Sequence, residues 1–130
     1  MGESLKTGGC HCGAVAFEAM TPDDVVVHEC NCSICAATGF LHLIVPSTAF
    51  RLVRGEDALS TYTFNTGVAQ HRFCRFCGVK SFYVPRSNPD GFSLNMRRLD
   101  RTQFASVRVE PFDGLNWEAN AGALEALSKP

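Results

Sequence analysis

The chain has 130 residues, 45% apolar and 19% charged, enough for one buried core and too apolar for an intrinsically disordered chain. Twelve Lys and Arg against 13 Asp and Glu leave a net charge of −1, which argues against a basic nucleic-acid or membrane-surface binder. Seven cysteines are the anomaly.

The pattern predicts one mainly β domain over residues 1–130. The first 13 residues hold no apolar stretch suited to a signal peptide, and nowhere do about 18 apolar residues run together. A cytoplasmic location, where thiols stay reduced, is therefore expected, with no membrane and no nucleic-acid partner. Residues 14–20 alternate weakly and end at a Thr21-Pro22-Asp23-Asp24 turn. Residues 25–28 are a β-branched run, and 33–39 read as one helical turn closed by Gly39. The most apolar strand, 40–45, stops at Pro46, and a strand at 50–53 leads into a turn at 54–57. Residues 60–64 and 69–73 are expected to pair as a hairpin around Asn65-Thr66-Gly67, the second strand delivering Cys74. Strands at 81–84, 92–96 and 106–112 follow, with a loop over 87–91. Asn116 is a plausible N-cap for a short helix over 117–127, weakened by Gly122.

The cysteines fall into three clusters: Cys10 and Cys12 in C-H-C, Cys30, Cys32 and Cys35 in C-N-C-S-I-C, and Cys74 and Cys77 in C-R-F-C. An odd number, a reducing compartment and partners two residues apart speak against disulfides. Metal binding is left, because close-spaced thiols chelate with little loop-closure entropy. Zinc is the default ion for thiolates without a redox role, and the spacings match neither ferredoxin pattern. Seven ligands divide into four plus three. Gly13 follows Cys12 and Gly78 follows Cys77, and such a glycine lets the backbone turn its N–H groups toward sulfur. Cys35 is followed by Ala36 and Ala37 instead. This grouping gives Cys10, Cys12, Cys74 and Cys77 a closed structural site, and Cys30, Cys32 and Cys35 an open one. A zinc ribbon joining Cys32-x-x-Cys35 to Cys74-x-x-Cys77 stays open as the alternative, with Cys10, Cys12 and Cys30 left over.

Taken together, G-G-C-H-C-G-A-V at 8–15, C-N-C-S-I-C at 30–35 and F-C-R-F-C-G at 73–78 resemble the glutathione-dependent formaldehyde-activating enzyme family, in its centromere protein V-like branch. G-E-D-A-L-S-T-Y at 55–62 and F-Y-V-P-R-S-N-P-D-G at 82–91 extend the likeness, which runs from residue 8 to about Trp117. The resemblance implies an Mss4-like, zinc-stapled β fold. It implies two zinc ions per chain: a structural one on Cys10, Cys12, Cys74 and Cys77, and a catalytic one on Cys30, Cys32 and Cys35. It also implies a carbon–sulfur lyase activity on a thiol–aldehyde adduct, glutathione plus formaldehyde giving S-hydroxymethylglutathione.

An open zinc position binds a thiol as thiolate, the form that attacks a carbonyl carbon. Arg72, Arg75, Arg97, Arg98, Arg101 and Arg108 are candidates for holding substrate carboxylates, against a solvated-surface reading that is weightier for each alone. His28 is placed to act as a proton shuttle or outer donor to the open site. His11 reads as an exposed knuckle residue and His42 as a satisfied core histidine. His71, leading into a knuckle, receives no role, and no general acid or base is assigned. Phe40 and Trp117 are candidates for lining a pocket. The competing reading is a non-enzymatic zinc module that binds protein or thiol, which a fourth ligand from His28 or His42 would favour.

Overall fold

The computed structural model describes residues 2–64 and 66–129, so Asn65 of the expected hairpin turn lies outside the described residues. The strands in chain order are β1 Glu3–Gly9, β2 Ala16–Pro22, β3 Asp24–Cys30, β4 Leu41–Pro46, β5 Phe50–Arg54, β6 Leu59–Tyr62, β7 His71–Cys74, β8 Phe82–Tyr83, β9 Gly91–Asn95 and β10 Ser106–Phe112. Two short helices, α1 Ser33–Thr38 and α2 Trp117–Asn120, are accompanied by several 3₁₀ segments, the longest Ala121–Ser128. The protein is mostly β, as its sequence predicts. No helix is long and apolar enough to cross a membrane.

Three sheets form. β1, β2 and β5 make an antiparallel sheet, β6 and β7 a hairpin, and a five-stranded sheet runs in the order β10, β3, β4, β9, β8. On β2, Phe17, Ala19 and Thr21 point inward while their neighbours face out, which is the period of two that a half-buried strand requires. Phe17 and Ala19 meet Val27, Leu43, Phe82, Leu94 and Met96 in the core. β10 lies parallel to β3, with Val107 opposite Val25 and Phe112 opposite Cys30. That pairing brings the late part of the chain against the middle cysteine cluster.

Three differences from the expected elements have physical reasons. β1 carries Lys6 and two glycines, so propensity does not announce it. Lys6 is fully buried, and its ammonium donates to the Thr21 carbonyl and to Asp23 Oδ1 at 2.9 Å, pinning β1 to β2. The expected 60–64 and 69–73 hairpin is shorter, because Phe64 leaves the ladder and stacks on His71 with ring centroids 5.4 Å apart. The C-terminal helix stops at Asn120 and continues as a 3₁₀ turn over Ala121–Ser128. There the Asn88 side-chain amide takes the Leu124 and Glu125 carbonyls that a longer α-helix would use.

Candidate metal centres and the cavity beside them

The first cluster joins residues far apart in sequence. Cys10 and Cys12 leave β1, Cys74 ends β7, and Cys77 follows in the next turn. Cys12 Sγ lies 3.7 Å from Cys10 Sγ and 3.6 Å from Cys74 Sγ. A Zn–S bond of about 2.3 Å in a tetrahedron puts sulfurs about 3.8 Å apart, so the spacing suits a tetrahedral ion and is far too long for a disulfide. Gly13 and Gly78 both adopt positive φ, +85° and +77°, as the knuckle reading requires. The Val15 amide donates to Cys10 Sγ at 3.3 Å.

The second cluster is built locally. Cys30 ends β3, Cys32 stands at the N-cap of α1, and Cys35 is buried within α1. Gly39, in the left-handed region at φ +68°, closes the helix as expected and turns the chain into β4. The donor atoms of Cys30, Cys32 and Cys35 all lie within 4.8 Å of one another. The Cys32 thiol is pulled down to about 2 by hydrogen bonds from Cys30 and then Cys35, while hydrogen bonds with Cys30 and Cys32 push the Cys35 thiol up. Both cysteine clusters can hold a metal ion. The fold does not bring Cys32 and Cys35 to Cys74 and Cys77, so the ribbon pairing is not the one it assembles.

A cavity of about 430 Å³ opens over the second cluster. Cys30, Cys32 and Cys35 border it together with His42, His71, Arg86 and Trp117. His42 Nε2 lies 3.1 Å from Cys35 Sγ, and its Nδ1 lies 3.0 Å from Ser93 Oγ and 3.3 Å from the Tyr83 hydroxyl. The convergent donor set nevertheless stops at the three sulfurs, so His42 braces Cys35 rather than completing the set. Burial, then the Lys80 charge, pushes His42 down to about 3. Behind this wall lies Lys80, 7% exposed. Its ammonium is 2.7 Å from His71 Nδ1 and sits over the rings of Tyr83 at 3.8 Å and Phe40 at 4.9 Å. Burial lowers Lys80 to about 8.

The structure sorts the sequence candidates. His28 borders the cavity from β3, half-buried, and desolvation lowers its pKa. Trp117 borders it too, whereas Phe40 is buried behind Tyr83. None of the six candidate arginines reaches the cavity. Arg97 donates to the Gly39 carbonyl, and Arg98 to the Gly9 and Cys10 carbonyls, so both hold backbone. Arg72 faces Glu56 and Arg108 pairs with Glu110 on the surface. Arg75 lies over the exposed Phe76 ring, and Arg101 is exposed in a 3₁₀ turn. The guanidinium that does border the cavity is Arg86, packed 3.7 Å from the Trp117 ring and bonded to Glu118. Lys80 and Arg86 were missed. Arg86 stands inside the F-Y-V-P-R-S stretch, but nothing in a lone Pro-Arg marks a cavity.

The sequence profile of the family described as glutathione-dependent formaldehyde-activating enzyme matches residues 5–113, a span that takes in all seven cysteines. The chain belongs to that family. A Halomonas elongata protein bearing the name of the formaldehyde-activating family is 31% identical over 81 residues, 56% of this chain and 52% of that relative. The chain thus matches about half the length of that curated relative. A crystal structure of a Rhodobacter sphaeroides protein, solved as a structural-genomics target, superposes with a TM-score of 0.68 at 32% identity, covering 80% of this chain and 99% of that one.

Proposed function

We propose that this chain is a zinc-dependent carbon–sulfur lyase that joins a small thiol to a small aldehyde, glutathione and formaldehyde giving S-hydroxymethylglutathione. The observation that carries the reading is the three-sulfur cluster at the border of a cavity large enough for a tripeptide thiol. Cys10, Cys12, Cys74 and Cys77 would hold a structural zinc, and Cys30, Cys32 and Cys35 a catalytic one with a coordination position left for substrate. When bound there, zinc supplies a strong local positive charge that favours the ionised form of an incoming thiol. Arg86, oriented by the Trp117 ring, suits one of glutathione's carboxylates. Ile44, Pro85, Phe112 and Trp117 keep the cavity wall apolar and limit water. A reducing cytoplasmic setting suits seven free cysteines.

Cobalt in place of zinc tests the reading, since its spectrum reports thiolate count. Glutathione is expected to strengthen the sulfur-to-cobalt charge-transfer band and to release about one proton per site, because the ligand binds deprotonated. S-methylglutathione keeps the carboxylates but has no thiol to ionise, and is expected to do neither. A spectrum indifferent to glutathione at every pH would sink the lyase reading and favour a binding module closed by a fourth protein ligand.

A further inference from the structure

Resting on that proposed function, and deepening it, one buried pair outside the cysteine clusters has a defined chemical part. We infer that His71, held by Lys80 as the tautomer protonated on Nε2, is the hydrogen-bond donor that meets the aldehyde oxygen as the thiol adds. Lys80 is thereby a positioning residue and His71 a catalytic one.

The first step is tautomer logic. An ammonium carries three donors and no acceptor. Its 2.7 Å contact therefore makes His71 Nδ1 the acceptor, and a neutral ring must then carry its proton on Nε2. The ring is neutral, since burial and then the Lys80 charge push its pKa down to about 4. Lys80 does not answer to a carboxylate among the described residues, where every ion pair involves other side chains. A buried lysine with no acidic partner is costly to keep unless the site gains from it.

The second step is orientation. His71 lies between Phe64, at 5.4 Å and 24°, and Tyr83, at 5.0 Å and 13°, so both ring faces are covered and only the edge is left. One edge nitrogen faces Lys80. The other has no hydrogen-bond partner among the described residues. With both faces covered, what His71 offers to the cavity that the three cysteines border is its ring edge, where Nε2 lies. His42, the other buried histidine on this wall, has both nitrogens engaged and no donor to offer a substrate.

The step balances. A sulfur lone pair forms the C–S bond, and the carbonyl π pair moves to oxygen. That oxygen takes the Nε2 proton, and Lys80 passes one to Nδ1. The pair has then given up one proton, which solvent restores at Nε2 as Nδ1 returns its own to Lys80, so the starting tautomer is recovered. Cleavage of the adduct runs the same path backwards.

The test begins with the tautomer itself, read by long-range ¹H–¹⁵N correlation on histidine-labelled, zinc-loaded protein at neutral pH. A pyrrole-type Nε2 and a pyridine-type Nδ1 are expected for His71. A protonated Nδ1 overturns the inference without reference to activity. His71→Phe keeps the stack and removes the donor, and is expected to lower kcat about 100-fold with zinc content and the cobalt–glutathione band intact. His71→Gln, whose amide N–H stands where Nε2–H stood, is expected to recover most of that loss. Lys80→Met is expected to convert the His71 signals to a tautomer mixture and to lower kcat. A His71→Phe variant as fast as wild type overturns the inference alone. Wild-type protein that makes no adduct above the spontaneous rate overturns the proposed function, and the catalytic part with it.

Discussion

Gly114 backs onto Cys30. A β-carbon placed on Gly114 would overlap the Cys30 sulfur and come within 3.1 Å of the Cys32 β-carbon. Its φ lies outside the left-handed region, so the crowding, not the backbone, demands glycine here. Gly114→Ala is expected to displace Cys30 and, on the proposed occupancy of two zinc ions per chain, to leave one, with the β signature in circular dichroism retained. Two zinc ions in the purified variant would show that Cys30 is free to move aside.

Serine substitutions separate the two clusters. Cys12→Ser breaks a centre that ties β1 to the end of β7, and structural zinc contributes folding free energy directly. That variant is expected in the insoluble fraction. Cys35→Ser is expected to stay soluble with one zinc fewer. The reverse pattern would mean that the local cluster, not the long-range one, holds the fold.

Acid lability follows from the neutral histidine. The folded state of His71 takes a proton only near pH 4, whereas an unfolded histidine takes it near 6.5. Between those values the unfolded chain binds more protons, so stability falls as pH drops from about 6.5 to about 4 and is unaffected above that window. The melting temperature of His71→Phe is expected to depend less on pH than that of wild type over this range. Parallel curves would remove His71 as a cause.

Removing Asp23 leaves the Lys6 ammonium buried with weaker partners, the Ser4 and Thr21 oxygens. Asp23→Ala is expected to lower the urea midpoint, because it leaves the buried ammonium without its carboxylate. Adding Lys6→Met, which keeps the contact with Phe104, is expected to recover part of it. If the double variant is less stable than Asp23→Ala, the ammonium's other hydrogen bonds outweigh its charge.

The sequence made the cysteine grouping legible because a glycine after Cys12 and after Cys77 is a local backbone requirement, visible in one dimension. Gly39, Pro46 and the run at 106–112 were legible for the same reason. β1 was hidden because Lys6 has no sequence neighbour that explains its burial, its partners being Thr21 and Asp23 across the sheet. Lys80 and Arg86 were hidden likewise. What makes them part of the site is the approach of His71 and Trp117 from other segments. Six arginines looked eligible for substrate, and spacing alone gave no way to see that Arg97 and Arg98 were already holding carbonyls.

The two clusters differ in how much chain must be ordered before each exists. Cys30, Cys32 and Cys35 are neighbours along one short stretch, whereas Cys12 must find Cys74 across 62 residues. A short chelate closes in far less time than a long loop, whose ends meet only as sheets pair. Metal uptake during refolding is therefore expected in two phases: rapid and independent of folding at the local cluster, slow and coincident with folding at the distant one. Until β10 settles on β3 and Gly114 reaches Cys30, an ion taken up by the local cluster is expected to exchange with chelators.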